Sequence, residues 1–452
     1  MRKGIIFSFM ALAVISAMLE LSPEADPPNL VLLFADDLGY GDLGCFGHPT
    51  IRTAHLDKMA QEGIKLTSFY AAPSCTPSRA ALLTGRYPLR SGLPRVLGPG
   101  AARGIPASEI TLAEALKSQN YRTIAIGKWH LGHQEEKFFP TSNGFDKYFG
   151  LLYSNDMQPP WVQTDVPLKL WRDTQPVEYP VKQATLTKRY TEEAVKFITE
   201  SKDGPFFLYL AYTMVHVPLH ASESFSGHSR RGLYGDVVEE IDWSVGCILE
   251  VLKKEGLDEN TLVVFTSDNG PWLHMADRMF RQDLVKQWDA GSAGLLRGWK
   301  GSTYEGGVRV PFIARWPSRI PPAQVSAEMA STMDLYTTFL ILAGAEVPRD
   351  RPVDGKNIMP LLEGGTKPPR DSFYYYRGET LEGIRKGKWK LRLSNHLRED
   401  IPQDQPPSPE LYDLDLDPSE MYNLADQYPE IVTRLRAQMD EFEKEMEASL
   451  NR

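Results

Sequence analysis

Four apolar runs, Asn29–Asp37, Tyr121–His130, Pro205–His216 and Thr261–Gly270, lack the polar alternation of a strand with one wet face. Such runs suit strands buried on both faces, as in a parallel sheet covered by helices. Helical patterns lie between them. Ser108–Tyr121 has Ser108 as a candidate N-cap, and Asp236–Leu257 carries apolar residues at helical spacing and closes on Lys253, Lys254 and Gly256. Strand and helix in series predict an α/β fold with right-handed crossovers. Each run also finishes in polar residues: Asp36 and Asp37, Lys128 and His130, His216, and Asp268 and Asn269. Ligands of open α/β sheets bind at the carboxyl ends of the strands, so these residues are expected to converge on one site. Any one of them alone reads equally well as a turn or capping residue; the recurrence in all four runs carries the argument.

The 452 residues favour two domains or one large one. Asn155–Pro180, rich in Pro and Trp with little periodicity, reads as a long loop over the site. Lys367–Arg370 reads as a boundary, followed by short β-like pieces ("SFYYYRG", "EGIRKGKWKLRL", "PELYDLDLDP") and a helix over Tyr428–Leu450. The expected division is a signal peptide over 1–25, a main domain over 26–366 and a smaller α+β subdomain over 367–452. Arg2 and Lys3 precede an apolar run, Ile5–Leu19, too short for a comfortable membrane span and suited to an export signal. Ser16-Ala17 and Glu24-Ala25 offer small residues for cleavage. An exported chain without a stable membrane anchor is therefore expected. The formal charge of −9 argues against a general nucleic-acid binder, although a local cluster of Lys, Arg and His still permits an anionic substrate. The three cysteines, Cys45, Cys75 and Cys247, leave at least one unpaired or modified, and nothing in the sequence supports a Cys45–Cys247 bridge.

The stretch "PSCTPSRAALLTGRYP", Pro73–Pro88, places Cys75 before a helix start, with Thr76 a candidate N-cap and Pro77 a candidate first helical residue. A cysteine at the positive end of a helix reads as a low-pKa thiol or a buried structural residue. The stretch also resembles the signature of the type I sulfatases, through Cys75-Thr76-Pro77-Ser78-Arg79 and Leu83-Thr84-Gly85-Arg86. The resemblance extends over nearly the whole chain, through "FADDLGYGDLGCFG", "GKWHLG", "SDNGP", "RGWKGSTYEGGVRVPFIARWP" and "LYDLDLDPSEMYNLA", and is greatest to the arylsulfatase A and N-acetylgalactosamine-6-sulfatase branch.

That resemblance implies an alkaline-phosphatase-like sandwich, with a large mostly parallel sheet between helices and a smaller C-terminal domain with an antiparallel sheet. It implies that Cys75 is oxidised to formylglycine by a formylglycine-generating enzyme, and that the hydrated aldehyde is the nucleophile. Asp36, Asp37, Asp268 and Asn269, with the modified Cys75 side chain, would hold Ca²⁺; their oxygen ligands suit a hard cation, Mg²⁺ included. Arg79 would steady the nucleophile, Lys128 and Lys300 would neutralise sulfate charge, and His130 would contact the hydrate. His216 would protonate the leaving alcohol, with His220 the alternative near the same strand end, and Ser154 would contact sulfate. The implied activity is hydrolysis of aryl sulfates or sulfated carbohydrates. The other readings are a phosphoester or phosphonate hydrolase of the same superfamily, and an unmodified protein that only binds sulfated glycans. Trp161 and Trp171 are candidates to stack on a sugar ring. The implied location is periplasmic or extracellular in a bacterium, and lysosomal or secreted in an animal.

Overall fold

The computed structural model describes residues 26–397 and 408–450; the expected signal segment lies outside them. The four apolar runs form β1 (Asn29–Ala35), β3 (Arg122–Lys128), β7 (Phe206–Ala211) and β8 (Thr261–Ser267), with β2 at Ile64–Tyr70, β4 at Lys147–Leu151, β5 at Leu170–Arg172 and β6 at Gln175–Glu178. Strands β9 (Arg309–Arg315), β10 (Gln324–Ser326) and β11 (Ala330–Ser331) complete an 11-stranded sheet ordered β10-β2-β9-β8-β1-β7-β3-β4-β5-β6, with β11 paired to β2. The four runs lie side by side at its centre and are parallel: Leu32 pairs with Tyr209 on one side and Val264 on the other, and Ile124 with Leu208. Every residue of β1, β7 and β8 is buried, the reason these segments carry no polar alternation. The antiparallel pairings, β9 with β8 and β2 and the β4-β5-β6 series, lie toward the two flanks.

Asn155–Pro180 differs from the expected loop. Its later half is the hairpin β5–β6, which extends the sheet. Strands of three and four residues are too short to set a periodicity. Trp161 is buried in the core, and Trp171 packs edge-on against Phe139 at 5.2 Å.

Helices cover the sheet: Ala54–Gln61, Cys75–Thr84, Leu112–Lys117, Leu186–Glu200, Leu233–Lys254 and Thr332–Leu342. Two starts differ from expectation. The third of these begins after Thr111, not Ser108, because Thr111 and Glu114 satisfy each other's backbone N–H groups in a capping box. The second has Ser74 at its N-cap and Cys75 as its first helical residue; the Thr76 hydroxyl instead donates to the His130 carbonyl at 3.0 Å. That helix stops at Gly85, whose φ of 69° and close approach to the Tyr336 ring (2.5 Å from where a Cβ would stand) require glycine.

Beyond it, β12 (Ser372–Arg377), β13 (Thr380–Lys386), β14 (Trp389–Arg392) and β15 (Glu410–Asp413) form a separate antiparallel sheet in that order. The helix Pro429–Leu450 buries Leu435, Met439 and Met446 with the residues of this sheet, and its Phe442 stacks on Tyr374 at 3.7 Å. Tyr70 at the end of β2 stacks on Phe373 of β12 at 4.9 Å, so the two sheets share a boundary of aromatic rings.

Candidate active site

The carboxyl ends of the central strands meet the start of the Cys75 helix. The chain leaves β1 through Asp36 and Asp37, β3 through Lys128 to His130, β7 toward His216, and β8 through Asp268 and Asn269. Asp37 and His130 adopt φ of 62° and 60°, which turns the chain sharply at two of these exits. Asp36, Asp37, Cys75, Arg79, Lys128, His130, Ser154, His216, Asp268 and Asn269 are all buried, and Lys300 nearly so.

Arg79, one turn into the helix, donates to Asp268 Oδ2 at 2.9 Å and to the Lys128 carbonyl at 2.7 Å, and lies 3.4 Å from Asp36 Oδ2. Lys128 Nζ meets Asp36 Oδ2 at 2.5 Å and donates to Ser154 Oγ at 3.3 Å. Lys300 Nζ meets Asp37 Oδ1 at 2.8 Å, and Asn269 Nδ2 donates to the same oxygen at 2.7 Å. The Asp37 amide donates to Asp268 Oδ1 at 3.0 Å, tying the ends of β1 and β8 together. Cys75 belongs to this group: its sulfur and carboxylate oxygens of Asp36 and Asp268 all lie within 4.8 Å of one another.

His216 Nδ1 lies 2.6 Å from the Val217 carbonyl, an acceptor only, so that nitrogen carries the proton and Nε2 faces Asp37 Oδ2 at 3.6 Å. By the same logic His130 donates from Nε2 to the Leu97 carbonyl at 2.8 Å, leaving Nδ1 a buried acceptor without a partner. His220 is half-buried, and its ring joins none of these carboxylates.

Three carboxylates, Asp36, Asp37 and Asp268, crowd against three cations, Arg79, Lys128 and Lys300, in a buried site. Burial raises the Asp36 carboxyl, but Lys128 and Arg79 outweigh it and hold the acid ionised. Burial and the neighbouring Asp36 charge push Asp268 up to about 7. Burial lowers both histidines, helped by Lys128 at His130 and Lys300 at His216. Burial also raises the Cys75 thiol despite Lys128 and Lys300 nearby, so a low-pKa thiolate at the helix start does not form.

The residues fit a hard divalent cation. Asp36 Oδ1 and Asn269 Oδ1 are buried and make no hydrogen bond, beside carboxylates that repel one another. All three cysteines are free, so Cys45 and Cys247 do not pair.

Two neighbours escaped the sequence reading. Trp272, three residues past Asn269, sets its ring centroid 5.5 Å from that of His216 and 4.7 Å from Lys300 Nζ. Asp156, buried two residues past Ser154, pairs with Arg278 at 3.0 Å. The position of Trp272 directly after "SDNGP" was the available signal; nothing local marked Asp156.

A mostly parallel sheet whose carboxyl edge gathers oxygen ligands, cations and histidines around one helix start defines a hydrolase of the alkaline-phosphatase-like class. Comparison with known proteins narrows the class. The sulfatase family model matches residues 28–345, and a model of the C-terminal region of N-sulphoglucosamine sulphohydrolase matches residues 298–445. The chain is 40% identical to human arylsulfatase A over 91% of its own length and 87% of that protein, and 42% identical to rat N-acetylgalactosamine-6-sulfatase over 85% and 75%. The solved structure of the PsFucS1 sulfatase from Pseudoalteromonas sp. superposes with a TM-score of 0.82 at 30% identity, covering 94% of this chain and 91% of that one. The chain belongs to the sulfatase family and is an enzyme that hydrolyses sulfate esters of aryl or carbohydrate alcohols.

Proposed function

We propose that the enzyme acts through residue 75 in its formylglycine form, made from Cys75 by a formylglycine-generating enzyme, with Ca²⁺ (or Mg²⁺) held by Asp36, Asp37, Asp268, Asn269 and the modified side chain. The observation that carries this reading is the place of Cys75: buried, first in its helix, and grouped with Asp36 and Asp268 within 4.8 Å. A buried thiol with a raised pKa is a poor nucleophile, whereas the hydrated aldehyde offers a hydroxyl. The cation, when bound, draws charge off the sulfate oxygens.

The chain's own residues supply the rest. Lys128 and Lys300 neutralise sulfate charge from positions already fixed by Asp36 and Asp37. Ser154, held by Lys128, donates to a sulfate oxygen. Arg79 clamps Asp268 and the end of β3, keeping the helix start and the carboxylates in register. His130, with an unprotonated Nδ1, accepts a proton from the nucleophile's hydroxyl. His216 acts in its doubly protonated form, which the facing Asp37 carboxylate favours against burial and the Lys300 charge: Nε2 gives its proton to the leaving alcohol while Nδ1 keeps its own on the Val217 carbonyl.

The relatives' names support sulfated carbohydrates and aryl sulfates as the substrate class. We assign the catalytic unit to residues 26–366 and the C-terminal unit to 367–452, in an exported protein; among the described residues no helix is long and apolar enough to cross a membrane. Mass spectrometry of the peptide carrying residue 75, from natively produced protein, tests the reading together with elemental analysis. The aldehyde and one bound Ca²⁺ or Mg²⁺ are expected. Active protein with only free thiol at Cys75, or with zinc in the site, would overturn it.

A further inference from the structure

Lys300 lies on no strand. It is carried by the segment Arg297–Gly307, which is held to the active site at two points: the Lys300 amide donates to the Pro271 carbonyl at 3.0 Å and the Gly301 amide to the Pro73 carbonyl at 2.7 Å. Pro271 follows Asn269 and Pro73 precedes Cys75, so this segment links both halves of the site. The next residues are gripped by the C-terminal sheet. Lys390 on β14 donates to the Thr303 carbonyl at 2.8 Å and pairs with Glu305 at 3.0 Å and Glu420 at 2.7 Å. Glu420 also accepts from the Glu305 amide at 2.7 Å. The Thr303 hydroxyl donates to Glu382 at 2.6 Å and accepts from Arg392 at 3.1 Å, and the Tyr304 ring lies between the guanidiniums of Arg297 and Arg392, 4.1 Å from each.

Lys390, Glu305 and Glu420 are fully buried. A buried ion cluster is a weak source of stability compared with apolar packing of the same volume, but it fixes geometry, because each charge must keep its partner. Lys390 is the only cation ion-paired with both acids among the described residues, and it grips the Lys300 segment at Thr303 and Glu305, three and five residues past Lys300.

We propose that Lys390 is a positioning residue for Lys300: the C-terminal sheet sets the place of the sulfate-binding ammonium by clamping Thr303 and Glu305. The proposal rests on the reading of Lys300 as a sulfate contact. It predicts that loosening the clamp damages sulfate binding through Lys300 and through nothing else.

A double-mutant cycle tests it, with the inhibition constant of inorganic sulfate and kcat/KM on a sugar sulfate as readouts. Lys300→Ala and Lys390→Met should each weaken sulfate inhibition and lower kcat/KM, by about 10- to 100-fold, the scale of a misplacement near 1 Å. The double variant should lose no more than Lys300→Ala alone. Arg297→Met, at a half-exposed position that donates to the Glu420 carbonyl at 3.0 Å, provides the same cycle if the buried change prevents folding. Additive losses in the double variant would overturn the positioning role while leaving Lys300 as a sulfate contact. Unchanged sulfate inhibition in Lys300→Ala would overturn the reading of Lys300 and the proposal with it.

Discussion

His216→Ala should slow hydrolysis of a sugar sulfate far more than hydrolysis of nitrophenyl sulfate. A sugar alkoxide departs poorly without a proton, whereas a nitrophenolate departs readily. General acid catalysis is worth about 10²–10⁴ in rate, or about 3–5 kcal/mol at 1.36 kcal/mol per decade, and that loss should appear in kcat/KM on the sugar substrate. The surroundings of His216 confine the damage that its removal does elsewhere. Asp37, which faces its Nε2 at 3.6 Å, keeps Lys300 at 2.8 Å and Asn269 at 2.7 Å when the imidazole is removed, so the carboxylate is not left unpaired. The Val217 carbonyl loses one hydrogen bond, a cost of about 0.5–1.5 kcal/mol in stability. Lys300→Ala is the contrasting variant: sulfate charge is present with either substrate, so both rates should fall to a similar degree. The assay is kcat/KM for both variants on both substrates, with the melting temperature as a check on folding. Equal slowing of the two substrates by His216→Ala would refute the general-acid role and make His220 the next residue to test.

Arg79→Met should cost about 3–5 kcal/mol in chemical denaturation, because it leaves Asp268 and Asp36 without their guanidinium in a site with no solvent exposure. Gly85→Ala should destabilise by more than about 1 kcal/mol, since a Cβ there stands 2.5 Å from the Tyr336 ring at a φ of 69°; a melting temperature equal to the parent's would contradict this. Stability should also fall as pH rises from about 4 to about 7 on account of Asp42, which burial pushes up to about 7 from an ordinary 3.8. In that window the folded state holds a proton that the unfolded state has released, so the slope is negative, up to about 1.4 kcal/mol per pH unit. Asp42→Asn should flatten that part of the profile.

The centre of the fold was legible because burial on both faces writes itself into composition: β1, β7 and β8 are continuous apolar runs with no wet side to mark. The flanks were harder. Strand β2 alternates buried and half-buried residues only over its first half and pairs with β9, β10 and β11, distant in sequence, while β5 and β6, though a local hairpin, are too short for any period. The helix starts show a different limit. Ser108 and Thr111 both offer a hydroxyl, and only the reciprocal bond from Glu114 decides between them.

The site divides along the same line. Asp36, Asp37, Lys128, Asp268 and Asn269 were visible without any motif, since topology alone brings the ends of adjacent parallel strands together. Lys300 comes from an irregular segment 263 positions from its partner Asp37, and only the motif context identified it. Asp156 and Lys390 carry no local signal beyond their residue type, and Trp272 carries only its place directly after "SDNGP". A tryptophan after a strand, an aspartate in a loop and a lysine on a short strand are ordinary in sequence. What distinguishes them is contact with a particular charge: half-buried Trp272 against Lys300, buried Asp156 on Arg278 and buried Lys390 between Glu305 and Glu420. Strand ends therefore announce which residues meet, while the side chains that hold those residues in place come from parts of the chain that folding alone brings near.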